Sequence, residues 1–353
     1  MEVIFLSERN LEVLDYAYAT NDFEIILDAL VPQKSSFKVN KTSLKAKIGD
    51  YLVVKDNNYF YIGIINSIDE DSKGCMKVQT KDFLSKFDVT VPVTSFYGNI
   101  SSFLIGLIEA QFKTNSDNSQ NLSYLQTEIE YSKTGRLTYD DDKTENIIDL
   151  VEEFSKTYGL RLAYELIITN GRITNIKVKV VSVIKGVVLR SDLGTISNLS
   201  ISDTNESSVN KVIYVPKKEN TSHKRTYNYF LYSDGTIGTS ATSDKRIVPV
   251  NFKYKTYSDK DYDSLETKAT SELVDSSLEH SISFEFAYGV NKIQSLKDLT
   301  LGAYVEFITP KKTYETLVTK ITYKGTFKTA QLVLGEYRVT LTDKLKLLNR
   351  KEK

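Results

Sequence analysis

At 353 residues the chain is long enough for two or three hydrophobic cores, and its 46 basic side chains balance 46 acidic ones. That neutrality argues against a dedicated nucleic-acid binder, which needs an excess of Lys and Arg to displace counterions from phosphates. The single cysteine, Cys75, rules out an internal disulfide framework and a cysteine-built zinc site.

No run of about 18 apolar residues occurs, so no membrane-spanning segment is expected. The short run Val3-Ile4-Phe5-Leu6, between Glu2 and Ser7, does not make a secretory signal. Synthesis in a cytoplasm is the expectation. Residues 1–95 then read as strands: Val3 to Leu6, Leu11 to Asp15, Phe23 to Ala29, Ser36 to Val39, Tyr51 to Lys55, Tyr59 to Ile68 and Met76 to Lys81. Asp56-Asn57-Asn58 has the turn chemistry of a hairpin. Short strands without intervening helices predict a sandwich or a barrel. The 23 tyrosines and 16 phenylalanines suit such pleated faces and also supply candidates for subunit contacts.

The period changes at Ile100. Phe103, Leu104, Leu107, Ile108 and Phe112 form the stripe of an amphipathic helix, with Asn99 or Ser101 placed to cap it. Residues 113–124 are rich in Asn and Ser and predict a mobile loop. A second helix is expected from Thr144 to Tyr158, leaving through Gly159. A hairpin follows, Leu160 to Ile168 and Arg172 to Val181, turned by Asn170-Gly171. Alternation resumes over Lys185 to Val215, and polar residues from Pro216 to Arg225 predict a surface linker. Another hairpin, Tyr227 to Tyr232 and Thr236 to Thr239, surrounds Ser233-Asp234-Gly235, and Lys260 to Glu279 predicts a third helix.

Two distant stretches look like copies. Val39-Asn40-Lys41, Leu44-Lys45 and Gly49-Asp50-Tyr51-Leu52 are answered by Val290-Asn291-Lys292, Leu296-Lys297 and Gly302-Ala303-Tyr304-Val305. The intervals Gly49 to Ile68 and Gly302 to Ile321 are equally long, and Phe23-Glu24-Ile25 and Phe284-Glu285-Phe286 lead into the two copies. A repeat this long exceeds solenoid periods and implies two similar domains in one chain. The fold class expected is α+β, mainly β, with two similar β-barrel domains and an inserted α/β domain. The boundaries read as a first β-barrel domain over 1–95 completed by 186–215, the α/β insert over 96–185, and a second β-barrel domain over 216–353 with a helix at about 260–279.

Catalytic signatures are sparse. His223 and His280 lie in a polar linker and at a helix end, neither with a metal-ligand partner at helical spacing. No nucleophile elbow, phosphate-cradling glycine loop or His-Glu-x-x-His occurs. Asp140-Asp141-Asp142 is the densest acidic cluster; a cation site or a hydrolase carboxylate is conceivable there, but its place before a helix N-terminus accounts for it. Glu152-Glu153 falls on an outer helix face, and Cys75 opens a strand. The tail bearing Lys344, Lys346, Arg350, Lys351 and Lys353 reads as a docking segment or a solvated terminus. No catalytic, cofactor-binding or metal-binding residue is assigned, and no cofactor is called.

The order of these pieces resembles a known family. An N-terminal β domain with Gly-Asp-Tyr-Leu-Val-Val (49–54) and Tyr-Ile-Gly-Ile-Ile (61–65) comes first, then an α/β insert and the hairpin from Tyr229 to Ile237. A helix and a terminal Leu-Gly-x-x-Arg-Val-x-Leu-Thr-x-Lys-Leu (334–345) complete it. This looks like the tail hub proteins of phages of Gram-positive bacteria, relatives of contractile-phage baseplate hubs and of the N-terminal part of siphophage tail-associated lysins. The resemblance implies a homotrimer whose paired barrels make a pseudo-sixfold ring beneath a distal tail protein ring, around a channel for tape-measure protein and DNA. It implies a virion location at the tail tip and contacts with receptor-binding or other tail-tip proteins. No sequence-specific nucleic-acid binding is expected. Relatives with a cell-wall-degrading domain carry it after the hub, and this sequence stops at Lys353, so no enzymatic activity is expected. The alternatives are a host-surface carbohydrate-binding module and a tail-associated cell-wall hydrolase.

Overall fold

A computed structural model describes residues 1–29, 33–56, 59–70, 74–137, 139, 143–182, 187–203, 209–233, 236–248, 250–277, 280–288 and 299–335. The protein is mainly β. Its first unit contains β1 (Glu2–Leu6), β2 (Val13–Tyr18), β3 (Glu24–Asp28), β4 (Lys34–Val39), β5 (Tyr51–Asp56), β6 (Tyr59–Glu70) and β7 (Met76–Asp82). The hydrogen-bonded order is β3-β4-β7-β6-β5-β1-β2. Alternation decides which face goes inward: on β4, Ser35, Phe37 and Val39 are buried while Lys34 is exposed. An isolated bridge between Ala19 and Val39 brings the chain after β2 back to β4.

The next section holds β8 (Thr90–Pro92), β9 (Phe96–Asn99), α1 (Ile100–Phe112), β10 (Leu125–Ile129), β11 (Thr134–Leu137), β12 (Thr144–Asn146), α2 (Ile147–Tyr158), β13 (Leu160–Thr169) and β14 (Arg172–Ser182). Asn99 caps α1, its side-chain oxygen accepting the Ser101 amide at 3.0 Å and the Ser102 amide at 3.2 Å. Asn146 caps α2, and Gly159 ends it at φ +64°. Asn170 and Gly171 both take positive φ, 50° and 77°, which a two-residue turn between β13 and β14 requires. The segment expected as a mobile loop is instead held by its own amides: Asn121 accepts the Asn115 amide at 2.8 Å and donates to the Asn115 carbonyl at 3.1 Å. Leu122 and Tyr124 at the end of the segment are buried.

β5 serves two cores because its alternate residues face opposite ways. Leu52 and Val54 enter the core of the first unit. Tyr51 and Val53 enter a second core with Leu104 of α1 and Phe154 of α2. The α/β section is therefore fixed to the outer face of the first β unit by apolar burial, worth roughly 25 cal/mol per Å² removed from water.

The remaining elements are β15 (Val188–Arg190), β16 (Ile196–Asp203), β17 (Lys211–Pro216), β18 (Tyr227–Leu231), β19 (Ile237–Gly238), β20 (Phe252–Tyr257), α3 (Leu265–Ser277), β21 (His280–Ala287), β22 (Tyr304–Ile308), β23 (Thr313–Lys324) and β24 (Thr329–Gly335). β16, β21, β24, β23 and β22 are hydrogen-bonded in that order, and β23 also pairs with β3, so both units belong to one thirteen-stranded sheet. The stretch 186–215, expected to complete the first barrel domain, pairs elsewhere. β15 runs parallel to β22 and β16 antiparallel to β21, while β17 enters a separate sheet, β19-β18-β17-β20, backed by α3. That small sheet lies in the chain between β16 and β21, which pair with each other. The helix expected over 260–279 begins as a tight 3-10 turn, Asp259–Ser264, before α3.

Candidate assembly surface

The repeat seen in the sequence is a repeat of hydrogen bonds. In the first unit the Gly49 amide donates to the Ile65 carbonyl (2.9 Å), the Ile65 amide to Asp50 (2.8 Å) and the Asp50 amide to Lys47 (3.1 Å). In the second, Gly302 donates to Val318 (2.7 Å), Val318 to Ala303 (2.9 Å) and Ala303 to Thr300 (2.9 Å). Gly49 and Gly302 take φ +97° and +77°, conformations that side chains disfavour. Tyr51 faces Ile64 as Tyr304 faces Leu317, and the bulge between Ile65 and Ser67 recurs between Val318 and Lys320. The strand orders also match, β3-β4-β7-β6-β5 against β16-β21-β24-β23-β22.

One correspondence shifts. Phe284-Glu285-Phe286 lies on β21, which pairs with β24 as β4 pairs with β7; the counterpart of the Phe23-Glu24-Ile25 strand is β16. Val290-Asn291-Lys292 and Leu296-Lys297 lie outside the described residues, as do Asn57-Asn58, Asp234-Gly235, Asp140 to Asp142 and the tail after Gly335.

The two turns are closed by different chemistry. Asp50 accepts the Lys47 amide at 2.9 Å and the Glu8 amide at 3.1 Å. Ala303 stands in its place in the second unit, and there the Arg161 side chain of β13 leans on the turn; a Cβ on Gly302 would lie 2.9 Å from Arg161 Cδ. Burial lowers the Arg161 pKa from its usual value. The buried Asp15 anchors the segment leading to the Gly49 turn, accepting from the Lys41 ammonium and from the amides of Lys45 and Ala46. Burial pushes its carboxyl upward, but those hydrogen bonds outweigh it and hold the pKa below the ordinary carboxylate value.

Where the first unit meets the α/β section, Asp82 at the end of β7 accepts the Leu84 amide at 2.9 Å and the Tyr164 hydroxyl at 3.1 Å. Burial dominates here and raises its pKa to about 6, against the pull of those two bonds. Between the units, β3 and β23 form an antiparallel seam in which Tyr323 faces Ile25 and Ile321 faces Leu27. Lys324 pairs with Glu24 at 3.1 Å and Lys320 with Asp28 at 3.9 Å along it.

The two histidines take structural places. His223 stacks on Tyr262 with centroids 3.7 Å apart and has Nδ1 3.4 Å from Asp259. Asp259 accepts the amides of Thr221, Ser222 and His223. Those bonds, that of Thr221 foremost, hold its carboxyl well below the usual range. The expected linker is thus a loop wrapped on one carboxylate, a role that a run of polar residues does not announce. His280 opens β21, buried, with its ring 5.0 Å from Tyr314. Cys75 is half-buried just before β7. Among the described residues, no group of three or more His, Cys, Asp or Glu side chains is arranged to hold a metal, and no helix is long and apolar enough to cross a membrane.

No family model matches the chain, and no curated protein matches it. Solved structures do. The prophage tail protein gp18 from Listeria monocytogenes is 14% identical with a TM-score of 0.57, each chain covered over 100% of its length. The 43 kDa tail protein of prophage MuSo2 from Shewanella oneidensis is 10% identical with a TM-score of 0.57, covering 95% of this chain and 98% of that one. The tail protein from Neisseria meningitidis is 13% identical with a TM-score of 0.54, covering 95% and 97%. The fold is that of phage tail proteins. Pairs of exposed apolar side chains stand on β2 (Tyr16 and Tyr18), β16 (Leu199 and Ile201) and β20 (Phe252 and Tyr254), and single ones on β9 (Tyr97), β10 (Ile129), β13 (Ile168) and β15 (Val188).

Proposed function

We propose that the protein is a structural hub of a phage or phage-derived tail, a homotrimer adapting to a sixfold tail tube and helping to form the channel for tape-measure protein and DNA. The observation that carries the reading is the repeated five-strand order with its matching turn, register and bulge. A chain with two similar faces lets three copies offer six, extending the closed-symmetry logic of oligomers. The likeness to tail proteins supports the same setting.

In this reading each β unit acts as a barrel, for which the Ala19–Val39 bridge is support in the first. The first unit is residues 1–82; the second combines 187–203 with 280–335; the α/β parts, 83–182 and 209–277, form the cup below. Partners are a distal tail protein ring, tape-measure protein and other tail-tip proteins. The role is structural rather than catalytic, in the virion tail tip after synthesis in the host cytoplasm. Native mass measurement tests it. A trimer is expected, alone or on addition of the tail ring, and a strictly monomeric protein that ignores the ring rejects the reading.

A second reading is favoured by one observation. Phe252 and Tyr254 are 51% and 64% exposed, with ring centroids 5.6 Å apart and planes 85° apart, so that two exposed aromatic rings stand side by side, each offering a surface for a sugar ring. Glycan-array binding by the purified protein, lost in Tyr254→Ala, supports a host-surface carbohydrate module; no binding removes it.

A further inference from the structure

We propose that neighbouring copies join by antiparallel pairing of β16 of one chain with the far end of β6 of the next, repeating between chains the seam that β3 and β23 make within one. This rests on the trimeric reading above and names the surface that builds it.

Within the chain, β23 divides its edges in a particular way. Thr313 to Leu317 pair with β22, and Val318 continues that edge through its bonds with Gly302 and Ala303 while pairing with β24 on the other. Past the bulge, Lys320 to Lys324 take β3 on the edge that β22 has left. β6 is divided alike. Tyr59 to Ile64 pair with β5, and β7 takes the opposite edge from Gly63 to Glu70. Past the bulge, the edge at Ser67 to Glu70 that β5 has left carries no strand among the described residues.

The other half of the seam is also open. β16 stands to β21 as β3 stands to β4, and among the described residues it pairs with β21 alone. Leu199 and Ile201 are each 36% exposed on it, whereas Ile25 on β3 is fully buried. An open strand edge bearing apolar side chains is a template for another strand. A second copy is the occupant that already carries the matching edge, because each chain contains both halves of the contact. Such a contact is head-to-tail, and it closes into a ring when the rotation permits.

Carrying over the register of the existing seam sets Glu70 opposite Ile201 and Asp69 opposite Ser202. The ion pairs of the internal seam, Lys324 with Glu24 and Lys320 with Asp28, have no equivalent there, since Ser200 replaces Glu24 and Ser67 replaces Lys320. The seam between chains is therefore the weaker of the two and yields to substitution first.

The test uses the full chain with Cys75→Ser. Glu70→Cys combined with Ile201→Cys places two thiols across an antiparallel pair, within the Cα separation a disulfide accepts. Mild oxidation should give a covalent trimer, and neither single variant should cross-link. Separately, Ile201→Lys should weaken association at least tenfold by sedimentation, with an unchanged circular dichroism spectrum. A native trimer that neither cross-links through this pair nor weakens with Ile201→Lys overturns the inference and leaves the trimeric reading standing. A chain that stays monomeric throughout, with or without the tail ring, overturns both.

Discussion

The two β units share a ladder and differ in what surrounds it. The first is stapled by carboxylates: Asp50 closes its turn and Asp15 anchors the approach to it. It also lends the outer face of β5 to the α/β core. The second has Ala303 at the turn, takes the Arg161 side chain against Gly302, and receives its first strands, β15 and β16, from before the small sheet. The same backbone ladder is thus maintained by local polar bonds in one unit and by contact with a neighbouring section in the other. What the two have in common is the hydrogen-bonding geometry of turn and bulge, which tolerates wide change in side chains.

The largest expected effects come from the cores. Phe37 and Phe284 hold corresponding places, opposite Val78 and Leu332, and both are buried. Truncation of either to Ala should cost about 3 to 5 kcal/mol. If the thirteen-stranded sheet unfolds as one body, both variants lower a single urea transition equally; two transitions, each sensitive to one variant, break the unity of the sheet. Next come the turn glycines. Gly49→Ala meets open space at positive φ, while Gly302→Ala meets positive φ and the Arg161 stem. The first should cost about 1 to 2 kcal/mol and the second more; equal losses would mean that Arg161 does not press on the second turn.

The third effect depends on pH. Asp82 has a folded pKa of about 6 against an ordinary 3.8, so its contribution to stability is fully present below 3.8 and is lost as pH rises through about 6. Relative to the wild type, Asp82→Asn should gain about 1 to 3 kcal/mol between pH 4 and pH 7.5, read from urea midpoints at each pH. A constant difference would show that the junction of the first unit with the α/β section does not titrate. Asp15 has the opposite sign: its lowered pKa contributes stability above the ordinary carboxylate range, lost as pH falls through the folded value. The smallest effect is at the seam, where Lys324→Ala should cost about 0.5 kcal/mol or less because the ion pair is largely exposed.

Much of the local structure was legible. Asn-Gly at 170–171 and Gly159 after α2 each act within a few residues, so residue type is enough to read them, whereas residue type left Asn99 and Ser101 both open as the α1 cap and the hydrogen bonds fall to Asn99. The copied turns were legible for the same reason, because Gly49 and Gly302 mark positive φ. The lead-in strands were misassigned because Phe-Glu-Ile and Phe-Glu-Phe share strand composition without sharing a partner. The loop around Asp259 was missed because its donors are backbone amides, which every sequence possesses. The opposed charges Glu24 and Asp28 against Lys320 and Lys324 were the available hint of the seam.

By itself, the sequence determined the periods, caps and turns, and hence a mainly β chain with a copied unit. Tertiary structure alone decided that β3 pairs with β23, that β15 and β16 join the second unit, and that β5 shares its two faces between two cores. The physical reason is that a strand's side chains record which face is buried, while its two edges present the same amides and carbonyls whatever the residues, so edge partners are chosen only when the whole sheet assembles.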